Sequence, residues 1–264
     1  MSAAVDPRRV QHALVCMLFD PKLAARICGT SELAADDPPL SAGERTLLRA
    51  VDPRALATDH MRRARALQVI LEEYPVSAAV VGVDWVDGFF ASAVFRRCVS
   101  GRGAMAPAFA AYLGNRAKGV GIIEAALARL RRVAKQPTVE LPAGSLVRPA
   151  TLEPLEVSAG TLAWYQKTRG RLGAEPLQAL ARQRKPGKDQ PPRRGREFLL
   201  LEARADGSVD LGGASGALVG LLQAAHRPRP RAELAAEAVR LGAEPDEAEG
   251  LLDDLVGEGV LSRG

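Results

Sequence analysis

The sequence predicts a mainly α protein with a small α+β part, in which an N-terminal helical bundle precedes a C-terminal winged-helix-like module. Two observations support this fold class. Aromatic residues make up only 4% of the chain, while alanine, leucine and arginine are frequent, a composition typical of helices that pack through small and aliphatic side chains. After residue 196 the pattern changes to a β-hairpin or three short strands with three short helices, the elements of a winged-helix module.

The length of the chain indicates two domains. At 264 residues it exceeds the roughly 100 to 200 residues expected of one domain. We expect a helical domain over 1–135, a connector over 136–195 and the winged-helix-like domain over 196–264. The connector combines extended segments, short helices and a basic stretch rich in proline and glycine.

The N-terminal region begins with two short helical patterns separated by a break at Pro21. The next helix has a clear start signal, because Ser41 stands three residues before Glu44 in the capping-box pattern. Over residues 59–71 the apolar residues fall on one side of a helix and three arginines fall largely on the other. This spacing predicts an amphipathic helix, which ends where Pro75 disfavours helical geometry in the residue before it.

Aromatic residues cluster just after this helix. Trp85, Phe89, Phe90 and Phe95 hold much of the aromatic content of the chain. Since aromatic side chains dominate the packing energy of a core, we place the core of the first domain here. Two further helical patterns follow, and the domain closes near Lys135.

The later segments mix strand and helix patterns. The connector is rich in proline and contains short β-prone pieces, after which a helical pattern resumes with Ser158 as its N-cap. Residues 198–203 and 208–211 are strand candidates joined through Asp206-Gly207, a dipeptide suited to a hairpin turn. Three helical patterns complete the chain.

Positive charge is concentrated in one segment. Residues 182–196 contain seven basic residues and one acidic residue, so this stretch carries +6 in a chain whose net charge is +5. A basic patch on a folded surface would indicate nucleic acid, whereas a basic stretch rich in proline and glycine is typical of a solvated linker. We favour the linker.

The residue types that support catalysis do not converge in the sequence. Each histidine lacks a second ligand at helical spacing, and an odd number of scattered cysteines indicates reduced thiols. The segments SGRGA (100–104) and GASGA (213–217) are too short to predict a phosphate loop, and Asp253-Asp254 has the pattern of a solvated helix face. We expect no enzyme activity, no metal site and no cofactor in this chain. The three histidines are His12, His60 and His226, and the three cysteines are Cys16, Cys28 and Cys98.

The apolar segments are short. None reaches the roughly 18 residues of a membrane span, and the N-terminus lacks the apolar segment of a signal peptide. We therefore expect a cytoplasmic protein without membrane contact.

The segment EEYPVSAAVVGVDWVDGFFASAVF, with MAPAFAAYLG and IIEAALARLRRV downstream, resembles a bacterial family of helical, DNA-binding-type domains. Members of that family accompany multinuclear non-haem iron-dependent oxidative enzymes. The resemblance covers residues 60–135 and departs from the family at SGRGAMAPAF, which is shorter and less polar. It implies docking of this domain against such an enzyme, through residues that we assign as Arg62, Arg63, Arg65, Tyr74 and Trp85.

The C-terminal part, from FLLLEARADGSVDLGG to the end of the third helix, resembles the recognition elements that bind leader peptides in ribosomal natural-product (RiPP) biosynthesis. The resemblance implies strand addition, in which the leader extends the small sheet at a free edge and packs against the last helix. The leucines of that helix are also core candidates. The peptide-binding residues that we predict are Glu197, Phe198, Leu199, Leu200, Leu201, Glu202, Ala203, Leu251, Leu252 and Leu255.

Both resemblances imply one function. The chain is expected to be a non-catalytic partner protein that binds the leader of a precursor peptide and presents it to an iron-dependent oxidative enzyme, with the iron held by that enzyme. The alternative is a winged-helix transcription regulator, which the sequence pI of about 9.4 would suit. The last helix argues against this alternative, because its segment is acidic and contains no basic residue.

Overall fold

The computed structural model describes residues 5–29, 31–57, 60–133, 142–182 and 194–264. It confirms the predicted fold class, mainly α with a small α+β part. The chain divides into two compact units, the first formed by residues 1–121 and 167–188 and the second by residues 122–166 and 189–264. These units differ from the three consecutive segments that we predicted, because each unit combines two stretches that are separate in the sequence.

Helices build the first part of the chain. Prolines stand at the first helical position of several of them, where the missing N–H costs no hydrogen bond. A single 3₁₀ turn, Gly88–Ala91, separates the seventh and eighth helices. The α-helices up to residue 133 are α1 (Pro7–Phe19), α2 (Pro21–Cys28), α3 (Ala42–Arg49), α4 (Pro53–Ala57), α5 (His60–Glu73), α6 (Pro75–Val81), α7 (Val83–Asp87), α8 (Ala93–Ser100), α9 (Met105–Leu113) and α10 (Lys118–Val133).

The predicted capping box of α3 is confirmed. The Glu44 backbone N–H donates to Ser41 Oγ at 3.3 Å, and the Ser41 N–H donates to Glu44 Oε2 at 2.7 Å. The same carboxylate accepts from the Asp6 N–H at 2.9 Å and is fully buried. Glu44 therefore fixes the start of α3 and the residue before α1 together.

The core of the first unit is aromatic, as the sequence predicts. Phe89, Phe90 and Phe95 are at most 2% exposed, and their ring centroids lie 5.2 to 5.4 Å apart. Phe19 at the end of α1 and Phe109 of α9 join the same cluster. Edge-to-face contacts at these distances are the favoured geometry of aromatic pairs.

The second unit contains the strands. Two antiparallel three-stranded sheets form, with strand orders β5-β1-β6 and β2-β3-β4. The strands are β1 (Ser145–Val147), β2 (Leu152–Ser158), β3 (Arg196–Ala203), β4 (Val209–Gly213), β5 (Arg229–Pro230) and β6 (Ser262–Arg263). Among the described residues, the remaining helices are α11 (Thr161–Leu172), α12 (Pro176–Arg182), α13 (Gly216–Ala224), α14 (Arg231–Arg240) and α15 (Ala248–Gly257).

The predicted hairpin and three helices are confirmed. β3 and β4 pair from Leu199 opposite Gly213 to Ala203 opposite Val209, and Gly207 in the turn has a φ of 82°, which favours glycine. β2, which lies in the segment that we predicted as a connector, pairs with β3 along its whole length. The second unit is therefore larger than the predicted module.

The two faces of β3 pack against different helices, because successive residues of a strand point to opposite sides. Leu199 and Leu201 are fully buried in a cluster with Ile123, Leu127 and other residues of α10. Leu200 points the other way and packs against a second cluster formed largely by α13, α14 and α15. This second cluster positions the candidate site.

Across the described ranges, no helix combines the length and the apolar character needed to cross a membrane.

Candidate functional site

An open apolar groove lies in the second unit between α13, the end of α14 and α15. Its volume is about 290 Å³. Leu218 and Leu221 of α13, Leu241 after α14, and Leu251 and Leu255 of α15 supply its large side chains. The smaller lining residues are Ser215, Ala217, Ala238, Gly242 and Ala243. A groove lined in this way suits aliphatic or aromatic groups, and none of its lining residues is ionisable.

Two backbone features shape the groove. Ser215 caps α13 by accepting a hydrogen bond from the Leu218 N–H at 3.1 Å. At the end of α14, Gly242 has a φ of 109°, a conformation that favours glycine, and the Ala243 N–H donates back to the Ala238 carbonyl at 3.0 Å. The chain thus turns sharply at 241–243 and places Leu241 against α13, where a Cβ added at Gly220 would lie 3.0 Å from a Leu241 methyl.

The sheet edge formed by β4 leads to this groove. The Ala214 N–H donates to the Phe198 carbonyl and the Arg204 N–H donates to the Ser208 carbonyl. Backbone direction alternates along a strand, so the N–H and C=O groups of Val209, Leu211 and Gly213 point away from β3. Within the described ranges no strand pairs with this side of β4. Ser215 of the groove follows Gly213 by two residues, a distance of about 7 Å at most along the chain.

The other edge of the same sheet is less suited to an added strand. On β2 the residues whose backbone points away from β3 are Leu152, Pro154, Glu156 and Ser158, because the Ala203 N–H donates to the Thr151 carbonyl and sets the alternation. Pro154 has no N–H, and the Leu152 N–H already donates to the Pro149 carbonyl at 3.0 Å. Of the two edges, β4 therefore offers the better row of donors.

The prediction that residues 197–203 form a free edge is wrong. β3 lies between β2 and β4, so its backbone is paired on both sides. Its side chains have structural contacts: Glu197 Oε2 accepts from the Leu162 N–H at 3.0 Å near the start of α11, and the Phe198 ring lies against Gly216. Leu199 and Leu201 are core residues, Leu200 and Ala203 are partly buried, and Glu202 is exposed.

The three predicted leucines of α15 have different environments. Leu251 is 38% exposed and lines the groove. Leu255 lines the groove from below the surface, at 8% exposure. Leu252 is fully buried and belongs to the core, so its assignment to a binding surface is wrong; it lies about 100° around the helix from Leu251.

The predicted docking residues are also divided by the structure. Tyr74 is 1% exposed and donates its hydroxyl to the Ala106 carbonyl at 2.8 Å, so it cannot contact a partner. Arg63 is engaged by Asp87 and the Phe19 carbonyl. Arg62 and Arg65 are exposed on α5. Trp85 is half-buried, stacked on Tyr112 at 4.3 Å with the Arg116 guanidinium 5.3 Å from its ring.

Sequence reasoning missed Leu218, Leu241 and the β4 edge. A signal for α13 exists, because the segment GALVGLLQA is apolar on nearly every side, whereas a helix with one buried face alternates with polar residues. The excess apolar residues of such a helix need a further contact. No sequence pattern indicates which edge of the sheet is free, since that depends on the pairing of β2 over a long separation.

The histidines and cysteines make ordinary contacts. His12 Nε2 hydrogen-bonds to the Arg96 carbonyl and His226 Nδ1 to the Gln223 carbonyl, both at 2.9 Å; the side chain of His60 lies outside the described residues. Burial raises the pKa of the Cys16 thiol to about 11 and also raises the pKa of Cys98. Among the described residues, no three His, Cys, Asp or Glu side chains gather as metal ligands.

Most of the basic segment 182–196 lies outside the described ranges.

Comparison with protein-family models finds none that matches the chain. Comparison with curated proteins finds no significant match either.

Proposed function

We propose that this chain is a non-catalytic partner protein that binds the leader of a ribosomally made precursor peptide and presents it to an iron-dependent oxidative enzyme. The peptide lies along the edge of β4 and places apolar side chains in the groove. The iron belongs to the enzyme, and this chain contributes binding alone. We place the chain in the cytoplasm, where the precursor is made.

The supporting observation is the apolar groove of about 290 Å³ beside the β4 edge, with which no other described strand pairs. In strand addition, backbone hydrogen bonds provide affinity and pockets for alternate side chains provide specificity. The β4 edge supplies the backbone hydrogen bonds, and the groove between Leu218, Leu241 and Leu251 supplies the pocket for side chains. The two faces of the sheet are open at the end of β4, since a Cβ added at Gly212 or Gly213 would meet nothing within 4 Å.

The enzyme-docking part of the proposal concerns the first unit. Arg62 and Arg65 are exposed on α5, and Trp85 with Tyr112 presents a partly exposed aromatic surface. Arginine and tryptophan are enriched at the energetic centres of protein interfaces. We assign Arg62, Arg65 and Trp85 to enzyme contact and exclude Tyr74, which is buried.

DNA binding is the weaker alternative. The α15 helix contains Glu249, Asp253 and Asp254 and no basic residue, and the nearby Arg231 is paired with Glu249 and with Asp253. A helix that enters a DNA groove must offer positive charge to the phosphates on both sides. On this face both Arg231 and Arg263 are paired with carboxylates of α15, so little positive charge is left for phosphates.

Affinity capture from the native cell tests the proposal. The tagged wild-type chain should recover a short peptide and an iron-containing enzyme, identified by mass spectrometry and metal analysis. Leu251→Glu places a charge in the groove at a residue that is already 38% exposed. This variant should lose the peptide and keep the enzyme, because the first unit is unchanged.

Val239→Glu is the matched control. Val239 is 36% exposed and does not line the groove, so this variant should recover both partners. Equal recovery of the peptide by the Leu251 and Val239 variants would exclude the groove as the binding site. Recovery of DNA instead of an enzyme and a peptide would overturn the adaptor function in favour of the regulator.

A further inference from the structure

A second cavity, of about 350 Å³, lies in the first unit between α1 and the turn that ends α8. Its polar lining comes from Arg8, Gln11 and His12 of α1 and from Ser100 and Arg102 at the turn. The sequence segment SGRGA therefore contributes two residues to a cavity, although it is too short to predict one by itself. The volume lies at the lower end of the range for small-molecule sites.

The charge of this cavity is positive. Arg8 and Arg102 are among its lining residues, and no acidic residue is. Within the part of the chain that the structure describes, neither Arg8 nor Arg102 forms an ion pair. The acidic groups near the start of α1 are engaged elsewhere, because Asp6 caps α1 by accepting from the Arg8 N–H and the buried Glu44 accepts from the Asp6 N–H and pairs with Arg9.

Hydrogen bonds fix the backbone of the turn and the His12 ring that line the cavity. Arg102 has a φ of 50°, which is uncommon for a residue with a side chain, and its N–H donates to the Val99 carbonyl at 3.2 Å. The next N–H, of Gly103, donates to the Cys98 carbonyl at 2.9 Å. On α1, the bond from His12 Nε2 to the Arg96 carbonyl fixes the imidazole ring. Non-glycine residues in this backbone region concentrate at functional sites.

Part of the cavity surface is apolar. Val15 and Val99 complete the lining and are each partly buried. Hydrogen bonds to charged groups are stronger where the surroundings exclude water. Arg8 and Arg102 are themselves exposed, so water is excluded only on the side of the cavity that the valines cover.

We propose that this cavity binds a small ligand bearing several oxyanion groups. The planar forks of Arg8 and Arg102 match the paired oxygens of phosphate or carboxylate groups. The Gln11 amide and the Ser100 hydroxyl supply two further donors. The site lies in the first unit and is independent of the peptide groove.

Calorimetric titration of the full chain with inorganic pyrophosphate and with citrate, at constant ionic strength, tests the site. Saturable binding of at least one of these anions is expected. Arg8→Gln and Arg102→Gly should each weaken it about tenfold or more, since a hydrogen bond to a charged group contributes at least that factor. Glycine suits the positive φ at position 102, so Arg102→Gly removes the guanidinium without disturbing the turn.

Arg97→Gln is the matched control, because Arg97 is exposed on α8 just before the turn, does not line the cavity and carries the same charge. It should bind like the wild type. Binding of pyrophosphate alone identifies a phosphate site and binding of citrate alone a polycarboxylate site, and both outcomes support the proposal. Absence of saturable binding of either anion at millimolar concentration, or equal weakening in all three variants, would overturn it.

Discussion

Arg63 and Asp87 form an ion pair with two hydrogen bonds, in which Nε and Nη2 of the guanidinium lie 2.8 and 2.6 Å from Oδ1 and Oδ2 of the carboxylate. The third nitrogen of Arg63 donates to the Phe19 carbonyl at 2.5 Å, and the guanidinium lies 5.9 Å from the Phe90 ring centroid. Arg63 therefore connects α5 to the end of α1 and to α7, and its role is structural.

We expect Arg63→Gln to lower the free energy of unfolding by about 1 to 2 kcal/mol, a modest value because both side chains are partly exposed and screened by solvent. Arg65→Gln is the control, since Arg65 is exposed on the same helix, and it should leave stability within about 0.5 kcal/mol of the wild type. Urea denaturation measures both values. If the two variants were equally stable, the ion pair between Arg63 and Asp87 would contribute nothing to the free energy of unfolding.

Two glycine positions make a contrasting pair. A Cβ at Gly216 would lie 2.9 Å from the Phe198 ring, whereas at Gly250 in α15 it would meet nothing within 4 Å. Gly216→Ala should therefore destabilise the chain by about 1 to 3 kcal/mol through overpacking. Gly250→Ala should stabilise it by about 0.5 to 1 kcal/mol, because alanine favours helix. Thermal denaturation shows whether each variant is less or more stable than the wild type. Phe198→Leu should restore much of the stability that the Gly216 variant loses.

Stability should depend on pH through Glu44. Hydrogen bonds from the backbone N–H groups of Ser41 and Asp6 hold the pKa of this carboxyl below its ordinary value of 4.5. A lowered pKa in the folded state means that Glu44 stabilises the fold fully above about pH 4.5 and loses this contribution as pH falls through the folded pKa.

The difference in unfolding free energy between the wild type and Glu44→Gln should be largest at neutral pH and should shrink below pH 4.5. Denaturation at neutral pH and at several lower values measures it. Glu258→Gln, at an exposed position after α15, should show no such dependence. If the difference in unfolding free energy between the wild type and Glu44→Gln were the same at every pH, the lowered pKa of Glu44 would be contradicted.

Peptide binding at the sheet edge should protect a specific set of amides. The N–H groups of Val209, Leu211 and Gly213 point away from β3, whereas those of Asp210 and Gly212 point towards it. On addition of the captured peptide, hydrogen exchange of the first set should slow at least about tenfold, while the second set changes little. Protection of Glu156 on β2 instead would move the peptide to the opposite edge of the sheet.

Local patterns in the sequence determined much of this fold. The capping box at Ser41, the aromatic core around Phe89 and the hairpin at Asp206-Gly207 were predictable, because each depends on residues close together in the chain. The same holds for the three C-terminal helices. These features fixed the fold class and the order of elements.

The tertiary structure alone decided which surfaces are free. Pairing of β2 with β3 made β3 a central strand and left β4 at an edge, and the turn at Gly242 brought Leu241 towards Leu218 and Leu251. Packing also buried Tyr74, which lies between α5 and α6, and it buried Leu252 of α15, although the adjacent Leu251 stays exposed. Such outcomes depend on contacts between residues far apart in sequence, and the spacing of residues along one element carries no information about them.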